Sequence, residues 1–288
     1  MIVVMGATGY TGSALIERLV ELNVPVRALS RDPERLAASL DATAQGLVEV
    51  RQADAADPES LRTAFAGATQ LFLSMVNSPE QVALETRVIE IAEESGIEHV
   101  VRLSAPHVSA ESPIAIARWH HTLDEALKAS RMRHTFLRPY AFMQKLLLLS
   151  PAISGPGIIT GAMQDAPGNY TDVRDIADVA AAALTNPVIA GGDYSLTTAK
   201  AYTFGQVAEI LSGMLDKPVR YVDLPPEVFE RSLIERSHMP DWLAAHIVEV
   251  QLMAVAQLEV PTTTIADLLG REPRTLEDFL AENIQQFT

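Results

Sequence analysis

Cysteine is absent from this chain of 288 residues, and its absence excludes several chemistries. Without a thiol there can be no disulfide, no thiolate nucleophile, no cysteine-ligated zinc and no iron–sulfur cluster. The 7 histidines show no His-Glu-x-x-His motif and no other spacing typical of a metal site. We therefore expect no metal, and any redox activity would depend on a bound organic cofactor.

Positive charge and long apolar runs are also scarce. The chain has 22 basic and 37 acidic residues, for a formal net charge of -15. A nucleic-acid-binding surface and attraction to anionic lipid both need clustered basic residues, so we expect neither nucleic acid nor a membrane as partner. No apolar run approaches the length of a transmembrane helix, and no basic segment precedes the apolar run Met1–Met5 as it would in a signal peptide. We expect a cytoplasmic protein.

Short apolar runs alternate with helical patterns through the first half of the chain. The predicted strands are Ile2–Met5, Val26–Leu29, Leu47–Val50, Leu71–Met75, His99–Leu103 and Thr135–Leu137. Helix starts between them include two Asp-Pro pairs, at 32–33 and 57–58, and the capping-box pattern Ser78–Gln81. This alternation predicts an α/β fold, a Rossmann-type doubly wound parallel sheet with helices on both faces.

A glycine-rich loop lies directly between the first predicted strand and the first predicted helix. Its sequence is Gly6-Ala7-Thr8-Gly9-Tyr10-Thr11-Gly12. In such a loop the first glycine permits a tight turn, the second lets the backbone approach a pyrophosphate, and the third lets the helix pack on the strand. The anion then rests on the free N–H groups of the helix N-terminus. Because the loop opens a βαβ series, it predicts a bound dinucleotide.

The end of the second strand bears on the choice between NADP and NAD. An acidic residue there would bind the ribose 2′-hydroxyl of NAD, but this strand ends in Leu29-Ser30-Arg31. The guanidinium fork of Arg31 suits a 2′-phosphate, so NADP(H) is predicted in preference to NAD(H). The alternative is that Arg31 pairs with Asp32 or Glu34, and Asp32 is expected to cap the next helix. The cofactor-binding residues predicted so far are Gly6, Thr8, Gly9, Tyr10, Thr11, Gly12, Ser30 and Arg31.

The pattern changes after Pro139. Residues 151–172 are rich in proline and glycine and are predicted to be loop-rich. Thr203 with Gln206 predicts a capped helix, and residues 225–256 are predicted to be helical. Within 240–256 the apolar side chains are expected to pack in the core, with cover for a pocket or a dimer contact as the alternative. We expect an NAD(P)-binding domain over residues 1–150 and a smaller α/β substrate lobe over residues 151–288, from which some segments return to the main sheet.

Five segments, in this order along the chain, resemble the NmrA-like family of atypical short-chain dehydrogenases/reductases. They are Gly6–Gly12 (GATGYTG), Val26–Arg31 (VRALSR), Thr135–Pro139 (TFLRP), Thr171–Ala177 (TDVRDIA) and Leu268–Leu280 (LLGREPRTLEDFL). The resemblance spans nearly the whole chain and is strongest to the branch of NAD(P)H quinone reductases and triphenylmethane-dye reductases. It implies an oxidoreductase with a small-molecule hydride acceptor, and we expect a monomer or a homodimer.

The resemblance also implies cofactor contacts, position by position. They are Asp54 and Ala55 near the adenine, Ser74 and Met75 beside the adenosine ribose, Ser104 in place of the usual catalytic serine, and Pro139, Tyr140, Ala141 and Phe142 as the wall of the nicotinamide pocket. Tyr170 and Thr171 are expected to face the substrate. The alternatives are a turn-capping role for Asp54 and packing of the lobe for the aromatic residues.

The Tyr-x-x-x-Lys pair typical of this superfamily is missing, because none of the 6 tyrosines has a lysine four residues later. Reduction of an ordinary ketone creates an alkoxide that needs a positioned acid, whereas quinones and cationic dyes delocalise the charge of their products. We therefore predict hydride transfer from NADPH to a quinone-like or dye-like acceptor, with catalysis carried mainly by binding and orientation.

His120 and Tyr140 are the candidate catalytic residues. His120 matches a histidine of the dye- and quinone-reductase branch, and it would anchor the nicotinamide ribose or donate a proton, with a titration near neutrality. The alternative is a structural histidine; His121 faces another side of the helix. A second hypothesis for function is a non-catalytic NADP(H)-binding redox sensor of the NmrA type that binds a protein partner.

Overall fold

The structure is a computed structural model that describes residues 1–41, 44 and 46–288. Its strands are β1 (Ile2–Met5), β2 (Val26–Ser30), β3 (Val48–Gln52), β4 (Gln70–Leu73), β5 (His99–Leu103), β6 (Arg133–Pro139), β7 (Ala141–Phe142), β8 (Ile158–Gly161), β9 (Tyr170–Thr171), β10 (Asp193–Leu196) and β11 (Arg220–Asp223). Its α-helices are α1 (Tyr10–Glu21), α2 (Pro33–Ser39), α3 (Pro58–Phe65), α4 (Gln81–Glu94), α5 (Ala115–Ala129), α6 (Ser150–Ser154), α7 (Val173–Thr185), α8 (Phe204–Leu215), α9 (Pro226–Ser237), α10 (Asp241–Ala256), α11 (Thr264–Leu269) and α12 (Leu276–Glu282).

Seven strands form one parallel sheet in the order β10-β6-β5-β4-β1-β2-β3. The strand order reverses between β1 and β4, and doubly wound sheets bind their ligands in the crevice at such a point. The arrangement confirms the predicted α/β Rossmann fold. Each strand was short and apolar in the sequence because both faces of the sheet are covered by helices.

Two apolar layers cover the sheet. On one face α1 and α7 pack against it, and Leu15 and Ile176 are fully buried there. On the other face α3, α4 and α5 pack, and Phe65 and Leu123 are fully buried. Each such side chain contributes about 1.5–3 kcal/mol of apolar burial. These layers fix the carboxyl edge of the sheet, from which the candidate site is built.

The chain after residue 150 forms a further cluster and also returns to the sheet. Phe204 and Phe279 lie in a separate apolar core beside the short parallel sheet β8–β11. However, β10 pairs with β6 in the main sheet and α7 packs on α1. The division at residue 150 therefore stays a prediction.

Residues 225–256 are helical as predicted, in two helices that are separated where His238 adopts a left-handed conformation (φ 51°) before Pro240. The loop-rich stretch 151–172 also contains the short elements α6, β8 and β9. Strand β8 was not predicted because it pairs with β11, far along the chain. The predicted capping box at Ser78 is wrong, since Glu80 is the N-cap of α4 and provides no side-chain cap.

Helix α10 also differs from expectation. Its residues Ala244, Val248 and Ala254 are buried, whereas Val250 is 43% exposed. The expected core packing is therefore wrong for Val250, whereas Ile247 packs against the buried cluster of Ala162, Phe229 and Val248. In the described part of the chain, no helix combines the length and the apolar character needed to cross a bilayer.

Candidate functional site

A cleft of about 1940 Å³ runs along the carboxyl ends of β1, β2 and β4. The glycine loop forms its floor, and the segments that follow β2, β3 and β4 form its sides. The predicted cofactor residues that line it are Gly6, Thr8, Gly9, Ser30, Arg31, Asp54, Ala55, Ser74 and Met75. These predicted residues follow four different strands, β1 to β4, and they meet at one edge of the sheet.

Backbone contacts explain two of the three loop glycines. Gly6 has φ 90°, and a Cβ there would lie 2.1 Å from the carbonyl oxygen of Ser74. A Cβ on Gly12 would lie 2.1 Å from the carbonyl oxygen of Gly6. At Gly9 φ is −83° and a Cβ would lie 3.3 Å from the same oxygen, so the fold demands glycine there less strictly than at Gly6 and Gly12. The predicted close approach of a pyrophosphate to the backbone would explain Gly9.

The N-terminus of α1 fits an anion. Its N-cap is Gly9, which has no side chain to cap the helix, and its first turn holds no acidic residue. The first N–H groups of the helix thus remain available, and they carry the positive end of the helix dipole. The hydroxyl of Thr11 is buried and has no hydrogen-bond partner among the described residues. This cradle fits the pyrophosphate of a dinucleotide.

Arg31 lies at the β2 end of the cleft and makes no ion pair with Asp32 or Glu34 in the described part of the chain. Asp32 instead caps α2, because its Oδ1 accepts the backbone N–H of Arg35 at 3.0 Å. Both observations favour the predicted roles over the alternatives. Arg35 also lines the cleft, and it was missed because no motif marks the residue one turn after Arg31. The hydroxyl of Ser30 is engaged by the backbone of Asp32.

Asp54 makes the turn-capping contact that was the alternative, and its contact with the adenine stays a prediction. Its Oδ1 accepts the backbone N–H of Ala56 at 2.9 Å, which caps the turn after β3. Asp54 nevertheless lines the cleft beside Ala55. Across the cleft, the N–H of Ser74 donates to the carbonyl of Met5. This bond extends the pairing of β4 with β1 and brings Ser74 against the glycine loop.

A buried ionic network occupies the ends of β5 and β6. The Arg102 guanidinium is fully buried, and it donates to Glu85 Oε1 at 2.6 Å and to Asp124 Oδ1. Arg138 donates to Asp124 Oδ2 at 2.7 Å and to Asp193 Oδ1 at 2.5 Å. Charges so far from water are tolerated only when each has partners, and the shared carboxylate of Asp124 holds the two arginines together.

Ser104 is part of this network. Its hydroxyl donates to Asp124 and accepts from Arg138 Nη1 at 2.9 Å. The hydroxyl therefore satisfies a buried carboxylate and a buried guanidinium. Ser104 does not line the cleft around the glycine loop, and its role as cofactor contact stays a prediction.

His120 has different electrostatics from those expected. Its Nδ1 lies 3.0 Å from Arg102 Nη2, and its Nε2 lies 3.3 Å from Asn77 Oδ1. Because arginine only donates, Nδ1 accepts, and the ring proton is on Nε2. Burial and then the positive charge of Arg102 and Arg138 hold the pKa of His120 well below 6.5. The expected titration near neutrality is wrong, because a cationic ring here would be desolvated beside two guanidinium groups.

Two predicted substrate contacts are instead core residues. Tyr170 is buried in the apolar cluster of the later chain. Thr171 is fully buried, and its hydroxyl donates to the carbonyl of Leu196. The expectation that they face the substrate is wrong, because both side chains are buried among other protein groups. Phe142 is half-buried against the core of the main sheet, so it does not take part in the lobe packing given as the alternative.

Tyr140 lies immediately beyond β6, between buried Pro139 and exposed Ala141. Its hydroxyl is 2.9 Å from His107 Nε2, and His107 Nδ1 is 3.3 Å from Gln257 Nε2. Burial raises the pKa of Tyr140 above its usual value. Neither His107 nor Gln257 was predicted, because one follows β5 in a loop and the other follows α10.

Within the residues that the structure describes, no three His, Asp or Glu side chains are arranged to hold a metal ion. The polar groups described above lie along one edge of the sheet. They extend from the glycine loop at β1 to Tyr140 at β6, which is the direction in which a dinucleotide lies across a doubly wound sheet.

Known proteins resemble the chain over its full length. The chain matches the NmrA-like family over residues 1–280. It is 31% identical over 288 residues to the NAD(P)H azoreductase of Xenophilus azovorans, covering 100% of this chain and 99% of that protein. It is 32% identical over 291 residues to a (4-alkanoyl-5-oxo-2,5-dihydrofuran-3-yl)methyl phosphate reductase of Streptomyces griseus, covering 100% and 99%.

A solved structure of the NADPH-dependent quinone oxidoreductase of Escherichia coli complexed with NADPH superposes with a TM-score of 0.89 and 27% identity, covering 99% of this chain and 100% of that one. The resemblance drawn from the five sequence segments is confirmed. The chain belongs to the NmrA-like family.

Proposed function

We propose that this protein transfers a hydride from NADPH to a quinone-like or dye-like small acceptor. The coarser statement, that the chain is an NAD(P)H-dependent reductase, is confirmed by curated reductases of about 30% identity over the full length. The observation that carries the proposal is the continuous edge from the glycine-loop cleft to Tyr140, which holds a cofactor cradle but no Tyr-x-x-x-Lys pair.

The residues of the cleft would hold the cofactor by its phosphates and its adenine. The N–H groups at the start of α1 face the pyrophosphate, and Gly9 leaves room for it. Asp54 lies where the adenine amino group would be bound, with Oδ1 already used by the turn. When bound, the cofactor supplies a hydride from C4 of its nicotinamide ring. The protein supplies orientation and exclusion of water.

A preference for NADPH over NADH rests on Arg31 and Arg35. Both line the β2 end of the cleft, and neither forms an ion pair with a carboxylate in the described residues. A guanidinium in a cleft without a carboxylate partner is suited to a phosphate dianion. The cap that Asp32 provides to α2 keeps its carboxylate from competing for them.

The buried network offers no acid for the strongly basic alkoxide that reduction of a ketone would form. Ser104 and His120 are committed to Asp124 and Arg102, and the neutral imidazole does not protonate an alkoxide at neutral pH. Quinones and cationic dyes accept hydride readily, since their reduced forms spread the charge over rings. These acceptors therefore suit the site better than a ketone does.

The test is anaerobic oxidation of NADPH by a panel of quinones, azo dyes and cationic triarylmethane dyes, with simple ketones as negative controls. We expect turnover with members of the first three classes and none with ketones. Tight binding of NADPH without turnover by any acceptor would contradict the proposal, and it would favour the NADP(H)-binding sensor.

A further inference from the structure

Glu259 is a half-buried carboxyl that no cation neutralises in the described part of the chain. It lies in the segment that follows α10, between Leu258 and Val260, which are 66% and 67% exposed. Its Oε2 accepts the backbone N–H of Asn169 at 2.5 Å. Its Oε1 has no hydrogen-bond partner among the described residues. An acid with one oxygen fixed and the other unused is a candidate for proton transfer.

The backbone places Glu259 at the acceptor end of the edge described above. The carbonyl of Asn169 accepts the N–H of Ala141, the second residue after β6. Asn169 therefore joins Glu259 directly to the segment that carries Tyr140. Strands β4 and β6 are separated by two strand spacings, about 10 Å, and Ser74, which follows β4, lines the cofactor cleft. Glu259 is thus connected to the β6 end of this edge of the sheet, two strands away from Ser74.

The groups near Glu259 come from several elements, and no lysine or arginine is among them in the described part of the chain. Tyr140 follows β6, and Tyr170 belongs to β9; the negative charge of Glu259 contributes to a raised pKa at both. His107 lies beyond Tyr140, and Gln257 donates to that histidine from the same segment as Glu259. Burial raises the pKa of Glu259 from 4.5 to about 7, so a substantial fraction carries a proton at neutral pH.

We infer that Glu259 donates the proton that a neutral quinone-like acceptor needs when it takes up a hydride. This inference rests on the proposed function and names the acid that the site otherwise lacks. The O–H bond of Glu259 breaks and an O–H bond forms on the acceptor oxygen, while the hydride comes from C4 of the reduced nicotinamide. The carboxylate left behind regains its proton from solvent. Quinone, NADPH and one proton thus become hydroquinone and NADP⁺.

Tyr140 is the neighbouring alternative, and it suits a different role. Burial raises its pKa, which makes it a weaker acid than a free tyrosine. Its hydroxyl is held by His107 at 2.9 Å. If the amide of Gln257 donates to Nδ1 of His107, then Nε2 donates to Tyr140, and the tyrosine O–H is free to orient an acceptor oxygen. Tyr140 then positions the acceptor and Glu259 protonates it.

A cationic triarylmethane dye provides an internal control. Its central carbon takes up a hydride alone and becomes a neutral hydrocarbon, so its reduction consumes no proton. Both a quinone and such a dye take up a hydride, but only the quinone also takes up a proton. A proton donor therefore affects the reduction of the quinone only.

The experiment compares the wild type with Glu259→Gln and Glu259→Asp, and with the control Glu235→Gln on the exposed face of α9. With a quinone, we expect wild-type kcat to fall about tenfold per pH unit above about pH 7, and Glu259→Gln to lose about 10²–10⁴-fold at neutral pH with no such limb. Glu259→Asp should restore part of the rate and the fall of kcat at alkaline pH. With the dye, kcat of Glu259→Gln should stay within about twofold of the wild type, and Glu235→Gln should match the wild type throughout.

Infrared spectroscopy of the protein without cofactor gives a readout that is independent of turnover. We expect a protonated carboxyl band that titrates near neutral pH and is absent from Glu259→Gln. The inference is overturned if that band is missing in the wild type, or if Glu259→Gln keeps the wild-type quinone profile. Equal losses of kcat with quinone and dye would also overturn it, since they would show a structural role. Failure of the wild type to reduce any acceptor would instead overturn the proposed function and the inference with it.

Discussion

Arg102 donates a hydrogen bond from Nη2 to Nδ1 of His120 at a distance of 3.0 Å. The same guanidinium is ion-paired with Glu85 and Asp124 in a site that excludes water. This relationship fixes the tautomer of His120 and keeps its ring neutral. Both ring nitrogens of His120 are thus engaged, Nδ1 by Arg102 and Nε2 by Asn77.

Replacement of His120 by alanine should lower the stability of the protein and leave the pH dependence of kcat unchanged. The change leaves the buried Nη2 of Arg102 without a partner, so we expect the free energy of unfolding to fall by about 1–3 kcal/mol in urea titrations. The pH dependence of kcat between about pH 6 and 8 should match the wild type. His121→Ala, at the neighbouring and more exposed position of α5, is the control and should change neither quantity. Loss of a titration near neutrality without loss of stability would restore a catalytic role to His120.

The stability of the protein should decrease as the pH falls from about 6.5 to about 4.5. Burial lowers the pKa of His99 and of His246 to about 4, and that of His120 lies well below its ordinary value. Over this range the unfolded chain binds protons at these histidines and the folded protein does not, so unfolding is favoured. Glu259 contributes to the change of stability with pH in the opposite direction, because its pKa is raised to about 7 and the folded state holds its proton over this range.

The combined effect of the three histidines on the free energy of unfolding is larger than the opposing effect of the one carboxyl. A difference of one bound proton changes the free energy of unfolding by about 1.4 kcal/mol per pH unit. Urea titrations at several pH values should therefore give a falling free energy toward acid pH. The slope should be shallower in His120→Ala and steeper in Glu259→Gln. A free energy of unfolding that rises on acidification would contradict the assignment of buried neutral histidines.

Arg31→Ala should weaken NADPH binding selectively. Loss of charge-assisted hydrogen bonds to a 2′-phosphate costs about 1.5–3 kcal/mol, which corresponds to a rise in Kd of about 10–150-fold. The Kd for NADH should change by less than about twofold. Arg62→Ala, which removes an exposed arginine paired with Glu59 and Glu94 on the far side of α3, is the control. Cofactor fluorescence titrations measure both constants, and equal losses for NADPH and NADH would count against the 2′-phosphate contact.

Substitutions at two of the loop glycines should have different effects, one on stability and the other on NADPH binding. Gly12→Ala forces a Cβ against the carbonyl of Gly6, so we expect a loss of stability of about 3 kcal/mol or more. Gly9→Ala meets the same oxygen at 3.3 Å, and it should keep most of the stability while weakening NADPH binding at least tenfold. Thermal unfolding and cofactor titration on the two variants give the comparison. Normal cofactor affinity in a folded Gly9→Ala protein would remove the argument for pyrophosphate at this loop.

Local signals made much of the fold predictable from the sequence. Short apolar runs marked the strands of the first half, and Asp32 and Asp57 each cap the helix that begins at the following proline. The glycine loop was recognisable because its three glycines lie between the end of β1 and the first turn of α1. In each case the residues that interact are near one another in the chain.

The remaining features depend on contacts between distant residues. Arg102, Asp124 and Arg138 come from three different elements, and nothing in the local pattern around each one indicates their shared network. Two family-like segments meet where Arg271 and Arg274 both pair with buried Asp175, so part of the resemblance reflects packing rather than chemistry. Glu259 carried no motif, because its raised pKa results from burial that only the folded chain creates.

The most direct test of the account is to follow the hydride itself. NADPH deuterated at the transferred C4 position is oxidised anaerobically with a cationic triarylmethane dye, and the mass of the reduced dye is measured. A C–D bond on the central carbon does not exchange with water, so the account predicts a product heavier by one mass unit and NADP⁺ in equal amount. A reduced dye without deuterium, or a protein that binds NADPH and reduces no dye or quinone, would contradict it.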